Sequence, residues 1–285
     1  MYLSHVPKRK LMRTLTLLML FCIGITNRTT AQTLRYTTAL PYTQLAAYSN
    51  MQKDPLSFTG NQAALATTDQ AAIGLYGERR FMLAATSFFN AAAVLPTRAG
   101  NIGLQCNYSG FKNFTENNIG LAYAKSLGSK VDIGIQFNYY GYRIPVYGAA
   151  STVNIDAGIM VHLTDRLNGG MQLHNPVGGK FGKQSSEKLA SAYAFGLGYD
   201  ASDNCFVSTI FIKEEDQPVN IVAGVQYQFA QQFFMRIGVN SNTASVFAGI
   251  GAAWKKMRVD IAANYHPQLG FSPGILFLSY FGNKK

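Results

Sequence analysis

Charge is scarce in this chain of 285 residues: Asp, Glu, Lys and Arg together make up 14% of it, against about 25% in an average soluble domain. Acids are the rarer sign, 14 against 25 bases, and none precedes Asp54. Three cysteines are too few for a disulfide framework. Beyond residue 31 no apolar run approaches the ~20 residues that a membrane helix needs, which excludes a helical membrane protein. The shortage of charge fits a soluble enzyme poorly, and a hydrophobic content of 48% excludes disorder. What remains is a β protein whose apolar residues alternate instead of clustering.

The first thirty residues read as an address. Lys8, Arg9, Lys10 and Arg13 precede the apolar stretch Leu15 to Ile25, and Thr29-Thr30-Ala31 follows. That is the order of basic region, apolar region and small-residue cleavage site in a secretory signal peptide, and it predicts cleavage between Ala31 and Gln32. The apolar stretch is too short for a ~30 Å hydrocarbon core, and Met19-Leu20-Phe21 before Cys22 lacks the small residues of a lipoprotein site. Removing residues 1–31, which hold five bases and no acid, lowers the net charge from +11 to +6. The remaining bases are scattered beside turns. A nucleic-acid binder would gather them on one face, so that class is not expected, whereas contact with anionic lipid headgroups suits an exported protein. Cys106 and Cys205 lie in apparent strands and are expected as free thiols.

From about residue 71 onward the pattern has period two. Val131, Ile133, Ile135, Phe137 and Tyr139 alternate with Asp132, Gly134, Gln136, Asn138 and Tyr140; Phe233, Met235, Ile237 and Val239 alternate with Phe234, Arg236, Gly238 and Asn240. The second face is built from Gly, Asn, Gln, Ala and single charges instead of the Lys and Glu of a soluble sandwich. It predicts a narrow hydrated barrel interior with the apolar face turned to lipid. Turn signals divide the chain into fourteen strands, expected at 71–77, 81–94, 101–109, 117–126, 131–141, 151–163, 168–174, 189–200, 205–213, 218–228, 232–240, 245–254, 257–265 and 272–281. Connections after odd strands read as longer (Gly110–Glu116, Tyr142–Ala150, Asn175–Lys188) and those after even strands as tight (Leu127–Lys130, Ala230-Gln231, Lys255-Lys256). Outer-membrane barrels sort their turns in this way, which predicts an outer-membrane location with both termini periplasmic. The expected fold is therefore all-β, a single transmembrane antiparallel barrel of about 14 strands. Its parts are a signal peptide (1–31), an N-terminal hatch (32–70), the barrel (71–281) and a short tail (282–285).

Residues 32–70 do not alternate. Asp54-Pro-Leu-Ser-Phe-Thr-Gly-Asn61-Gln62-Ala63-Ala64-Leu65 resembles the Asn-Pro-Ala-Ala-Leu segment ahead of the first strand in FadL-like long-chain fatty-acid transporters, with Gln62 where that family has proline. The resemblance implies a fourteen-stranded barrel with the N-terminal segment folded inside as a hatch. Gly77-Glu78-Arg79-Arg80-Phe81, Gly196-Leu-Gly-Tyr-Asp200, the stretch Asp260 to Pro273, and a final strand of spaced aromatics ending at Phe281 are similar to the PorV/PorQ branch of the same superfamily. That branch is associated with type IX secretion and implies a non-enzymatic accessory that binds secretion-system or cargo proteins. The alternative is a FadL-like channel for small hydrophobic compounds.

No motif for chemistry stands out. His162, His174 and His266 lie far apart, and no metal-ligand spacing, phosphate loop or nucleophile elbow is present, so neither an enzyme nor a cofactor is expected. The charged residues on the expected lumen face are Asp132, Asp156, Arg236, Arg258 and Asp260. Because buried charges must be paired or hydrated, they predict a network holding the hatch, with a polar substrate path as the other reading. Tyr142, Ile144, Val146 and Tyr147 form an apolar cluster in an expected external loop, suited to protein docking or to an aromatic girdle.

Overall fold

The computed structural model describes residues 33–34, 41–50, 52, 54–145, 147–181 and 188–282. The expected signal segment with its Ala31–Gln32 junction, Val146 and the last three residues lie outside this set.

Fourteen antiparallel strands form one closed barrel: β1 (Ala71–Arg79), β2 (Ser87–Pro96), β3 (Asn101–Phe111), β4 (Phe114–Leu127), β5 (Val131–Ile144), β6 (Gly148–His162), β7 (Leu167–His174), β8 (Ala192–Ser202), β9 (Cys205–Glu214), β10 (Asn220–Ala230), β11 (Phe233–Asn240), β12 (Ser245–Trp254), β13 (Met257–His266) and β14 (Gly270–Phe281). Closure is made by β14 against β1, running from Gly274 opposite Glu78 to Phe281 opposite Ala71. It leaves no unpaired edge, the condition for crossing a medium that offers the backbone no hydrogen bonds. The period-two residues sort as expected. On β5, Ile133, Ile135, Phe137 and Tyr139 are exposed while Asp132, Gln136, Asn138 and Tyr140 are buried. A sheet with its apolar side chains outside and its polar ones inside is built for a lipid surround. Exposed aromatics gather toward both ends of the barrel, Tyr108, Tyr193, Tyr265 and Phe271 at one and Tyr123, Tyr199, Phe233 and Trp254 at the other. Cys106 is exposed on the outer face of β3, and both it and Cys205 are free thiols.

Two expectations need correction. The strand placed at 81–94 starts at Ser87 instead, because Arg80–Met82 and Ala84–Thr86 form short 3₁₀ turns and Phe81 and Met82 adopt left-handed backbone. The odd connections are not uniformly long. The hairpins after β3 and β5 are tight because their strands run on into the expected loops, and the one long connection is residues 175–191 after β7. Thr33–Leu34 pairs in parallel with Lys188–Leu189 in that long connection, at the end of the barrel opposite Phe281.

The interior is not a hydrated bore. Residues 41–68 fold into short helical turns, Pro41–Gln44, Leu45–Tyr48, Ser57–Gly60 and Gln62–Thr67, and these fill the half of the lumen on the side of the even turns. Leu45, Tyr48, Leu56, Phe58 and Leu65 are buried there against Ala92, Ala122, Met160, Phe206, Phe247 and Leu278 of the wall. Apolar burial at about 25 cal/mol per Å² makes this plug part of the folding unit.

Candidate functional site

The inward glycines of the strands explain how a plug fits. A side chain at Gly103 would press on Leu65 and Phe58 at 3.1 Å, one at Gly249 on Tyr42 at 2.5 Å, and one at Gly196 would collide with the Tyr48 ring. At Gly134 the obstacle is the backbone of Gln62, and at Gly158 it is Asn61. The missing side chains form a socket shaped to the plug. Asn61 accepts from the Ala63 N–H at 3.0 Å, capping the turn that follows, and its amide donates to the carbonyls of Ile159 and Met171, both at 3.3 Å. Asn101 closes the far end, donating to the carbonyls of Leu65, Ala66 and Thr68 at 2.8, 3.1 and 2.8 Å.

The five lumen charges do not form one network. Arg236, Arg258 and Asp260 do come together. Arg258 clasps Asp260 through two bonds of 2.7 Å, a bidentate geometry available because residues two apart on a strand share a face. Tyr42 of the plug donates to the same carboxylate at 2.9 Å. The Arg236 guanidinium lies 4.5 Å from the Tyr42 ring centre, donates to the Tyr42 carbonyl, and reaches Gln226 at 2.6 Å. Asp54, also of the plug, stands 3.7 Å from Arg236; burial pushes its carboxyl above the usual range while the two arginines pull it back down. Arg236 and Asp260 are fully buried, so each depends on these partners.

The other two charges belong elsewhere. Asp132 meets His162 at 2.8 Å, and His162 meets Asn168 at 2.7 Å, which in turn donates to the Tyr48 carbonyl at 3.1 Å. Asp156 pairs with His174 at 2.6 Å and accepts from Asn138 at 2.9 Å and from the Asn175 N–H at 3.1 Å. Sequence reasoning missed the partners Tyr42, Asp54, Gln226 and Asp200, the last of which takes bonds from Ser49 and the Asn50 N–H at 2.5 and 2.9 Å. The strand members had a signal in their inward register; those on the plug had none, because residues 41–68 carry no period.

The described members of the expected docking cluster are placed differently from one another. Tyr142 is turned inward, where Phe181 of the long connection packs on it at 5.2 Å and on Tyr140 at 5.7 Å. Ile144 is half-buried in β5, Tyr147 is exposed in the turn, and Val146 lies outside the described residues. The long connection thus folds back over the β4–β7 side of the lumen. It is held by Asn175, which is fully buried and donates to the Leu189 carbonyl at 2.7 Å.

Above the plug, on the β8–β14 side, the lumen opens into a cavity of about 400 Å³. Pro41 and Gln44 of the plug line it, together with Phe81 at the turn after β1. One wall, from β8 to β10, presents Ala194, Ile212 and Val222 together with Glu214 and Asn220; the other, from β11 to β14, presents Asn240, Ser245, Asn264 and Ser272. Glu78 and Arg80 at its rim pair with each other at 3.3 Å. Among the described residues no group of three or more His, Cys, Asp or Glu is placed to hold a metal ion.

No protein-family model matches the chain, and no curated protein does. Solved structures match it in shape. The toluene transporter TodX of Pseudomonas putida superposes with a TM-score of 0.65 at 10% identity, over 89% of this chain and 100% of that one. A FadL homologue of Pseudomonas aeruginosa gives 0.54 at 12% identity over 85% and 97%, and the monoaromatic hydrocarbon channel CymD gives 0.56 at 12% over 78% and 92%. At such identities the likeness is one of fold: this chain is a closed fourteen-stranded antiparallel barrel that shares the architecture of these structures.

Proposed function

We propose that the protein is an outer-membrane channel for small, largely apolar molecules, with the cavity facing outward and Phe281 toward the periplasm. The observation that carries this reading is the arrangement along the barrel axis: a plug of short turns below, and directly above it an accessible cavity whose lining includes plug residues. A ligand entering the cavity touches the plug and can bias its position. A lumen polar throughout, or filled without a pocket, would oppose the reading; here Phe81, Ile212 and Val222 line the pocket. The apolar exterior between aromatic bands suits outer-membrane lipid. The secretion-accessory reading rests on the sequence resemblance alone, and the surface expected to dock a partner is covered in part by Phe181.

The test is uptake of small neutral solutes into liposomes carrying the purified protein. Uptake above that of empty liposomes is expected, rising further in Asp260→Asn, which weakens the hold on the plug. Absence of uptake in both proteins would overturn the channel reading.

A further inference from the structure

The outer face of the barrel changes character where its longest strands leave the apolar belt. β4, β5 and β6 have 14, 14 and 15 residues, more than the roughly 9–11 that a tilted strand needs to span hydrocarbon. Their outward side chains run in cross-strand rows. Ile119, Tyr139 and Val153 stand side by side and are exposed, as a lipid surround demands. The next row is Tyr108, Asn117, Gly141 and Ser151, and its Tyr108 belongs to the aromatic band that marks the membrane boundary. One row further lie Thr115, Arg143 and Ala149. A depression of about 260 Å³ sits in this polar patch, lined by Thr115, Asn117, Tyr139, Arg143 and Ser151. Gly141 forms its floor, and Asn117 leans so far over it that a side chain at 141 would meet the Asn117 Oδ1 at 2.7 Å. The lining holds the base Arg143 and no acid, and Lys112 adds a second base in the adjoining hairpin after β3. Among the described residues the Arg143 guanidinium and the Asn117 amide meet no hydrogen-bond or ion-pair partner.

We infer that this patch binds the headgroup of a phosphorylated glycolipid in the outward leaflet. The Arg143 fork takes the phosphate in the bidentate manner that suits a guanidinium. Asn117, Ser151 and Thr115 bond the hydroxyls of the sugar. These groups spread over three strands, about 10 Å at the usual strand spacing, the width of a substituted sugar ring and more than a lone phosphate fills. The acyl chains descend over Tyr139, Ile119 and Val153 in the row beneath. A soluble anion would gain nothing from that row, so the site is one for a lipid. The inference rests on the outward placement of this end of the barrel, and it concerns the outside of the wall where the channel reading concerns the inside.

The test is retention of lipid by the full-length protein in a neutral detergent, titrated with diphosphorylated lipid A, phosphatidylglycerol and phosphatidylcholine and read by native mass spectrometry. Arg143→Gln removes the fork and Gly141→Val displaces Asn117. Lys255→Gln removes an exposed charge at the opposite rim, beside Trp254. Heat-modifiable gel migration confirms that each variant is folded. Lipid A is expected to bind about tenfold tighter than phosphatidylglycerol and to weaken about tenfold in Arg143→Gln, the size of one lost charge-assisted hydrogen bond. It should weaken also in Gly141→Val and stay unchanged in Lys255→Gln. Phosphatidylglycerol or phosphatidylcholine held as tightly as lipid A, unchanged affinity in the folded Arg143→Gln protein, an equal loss in Lys255→Gln, or displacement by inorganic phosphate alone overturns the inference. Solute uptake into liposomes made without lipid A reads the channel by itself, so the two claims fail separately.

Discussion

The two halves of the barrel interior differ in what fills them: one is packed by the plug, the other keeps a cavity. In the plugged half, the plug reaches several inward polar groups: Arg258 and Asp260 are met by each other and Asp260 by Tyr42, Asn101 by three plug carbonyls, Asp200 by Ser49. In the half holding the cavity, Gln172, Asn240 and Asn264 each keep an unpaired amide atom. Both halves are polar for one reason, that alternate residues of a lipid-facing strand must point inward. What differs is whether a second segment of the chain packs against them. The plugged half is a structural seam; the other half keeps a cavity of about 400 Å³.

Substitutions can break this contrast or sharpen it. The largest loss is expected for Asp260→Ala, which leaves Arg258 buried without its carboxylate and should cost about 3–5 kcal/mol in denaturant unfolding from micelles. An Arg258→Met, Asp260→Leu double variant should recover most of that loss. Gly196→Val fills the socket of the Tyr48 ring and should cost about 1–3 kcal/mol; greater amide exchange over Leu45–Tyr48 would show that the plug, and not the wall, gives way. Asn240→Leu in the cavity should stay within about 0.5 kcal/mol of the parent, because the group removed had no partner for its oxygen. A loss as large as that of Asp260→Ala would erase the distinction between the halves.

The smallest effect belongs to the long connection. Its Lys188 donates to Glu215 and holds that carboxyl below the usual glutamate range. The pair's contribution is therefore complete above the ordinary glutamate value and is lost as pH falls through the lowered one. A spin label at the exposed Val177 should gain mobility over that descent. In Lys188→Gln it should be mobile throughout.

Much of the fold was legible in the sequence because a strand at a lipid boundary has little choice. The run Val131 to Tyr140 could satisfy period two in only one register, so strand number, facing and most boundaries followed from it. The stretch at 81–94 misled because Phe81, Met82 and Leu83 continue the apolar character of a strand while their backbone turns, a matter of φ that composition does not carry. The inward glycines were legible as small but not as a socket, since the occupant lies up to 207 positions away along the chain. Tyr142 was read as displayed because its place in a hairpin was visible, whereas Phe181, the ring that covers it, arrives from another connection.

The sequence by itself determined a closed antiparallel barrel with polar groups inside and a non-alternating segment ahead of it, because both follow from local periodicity and the demand that every backbone group be paired. Only the tertiary structure decided which inward charges share a cluster, which glycines receive the plug and which amides are left unspent. Those are distances between segments remote in the chain, and a period of two does not encode them.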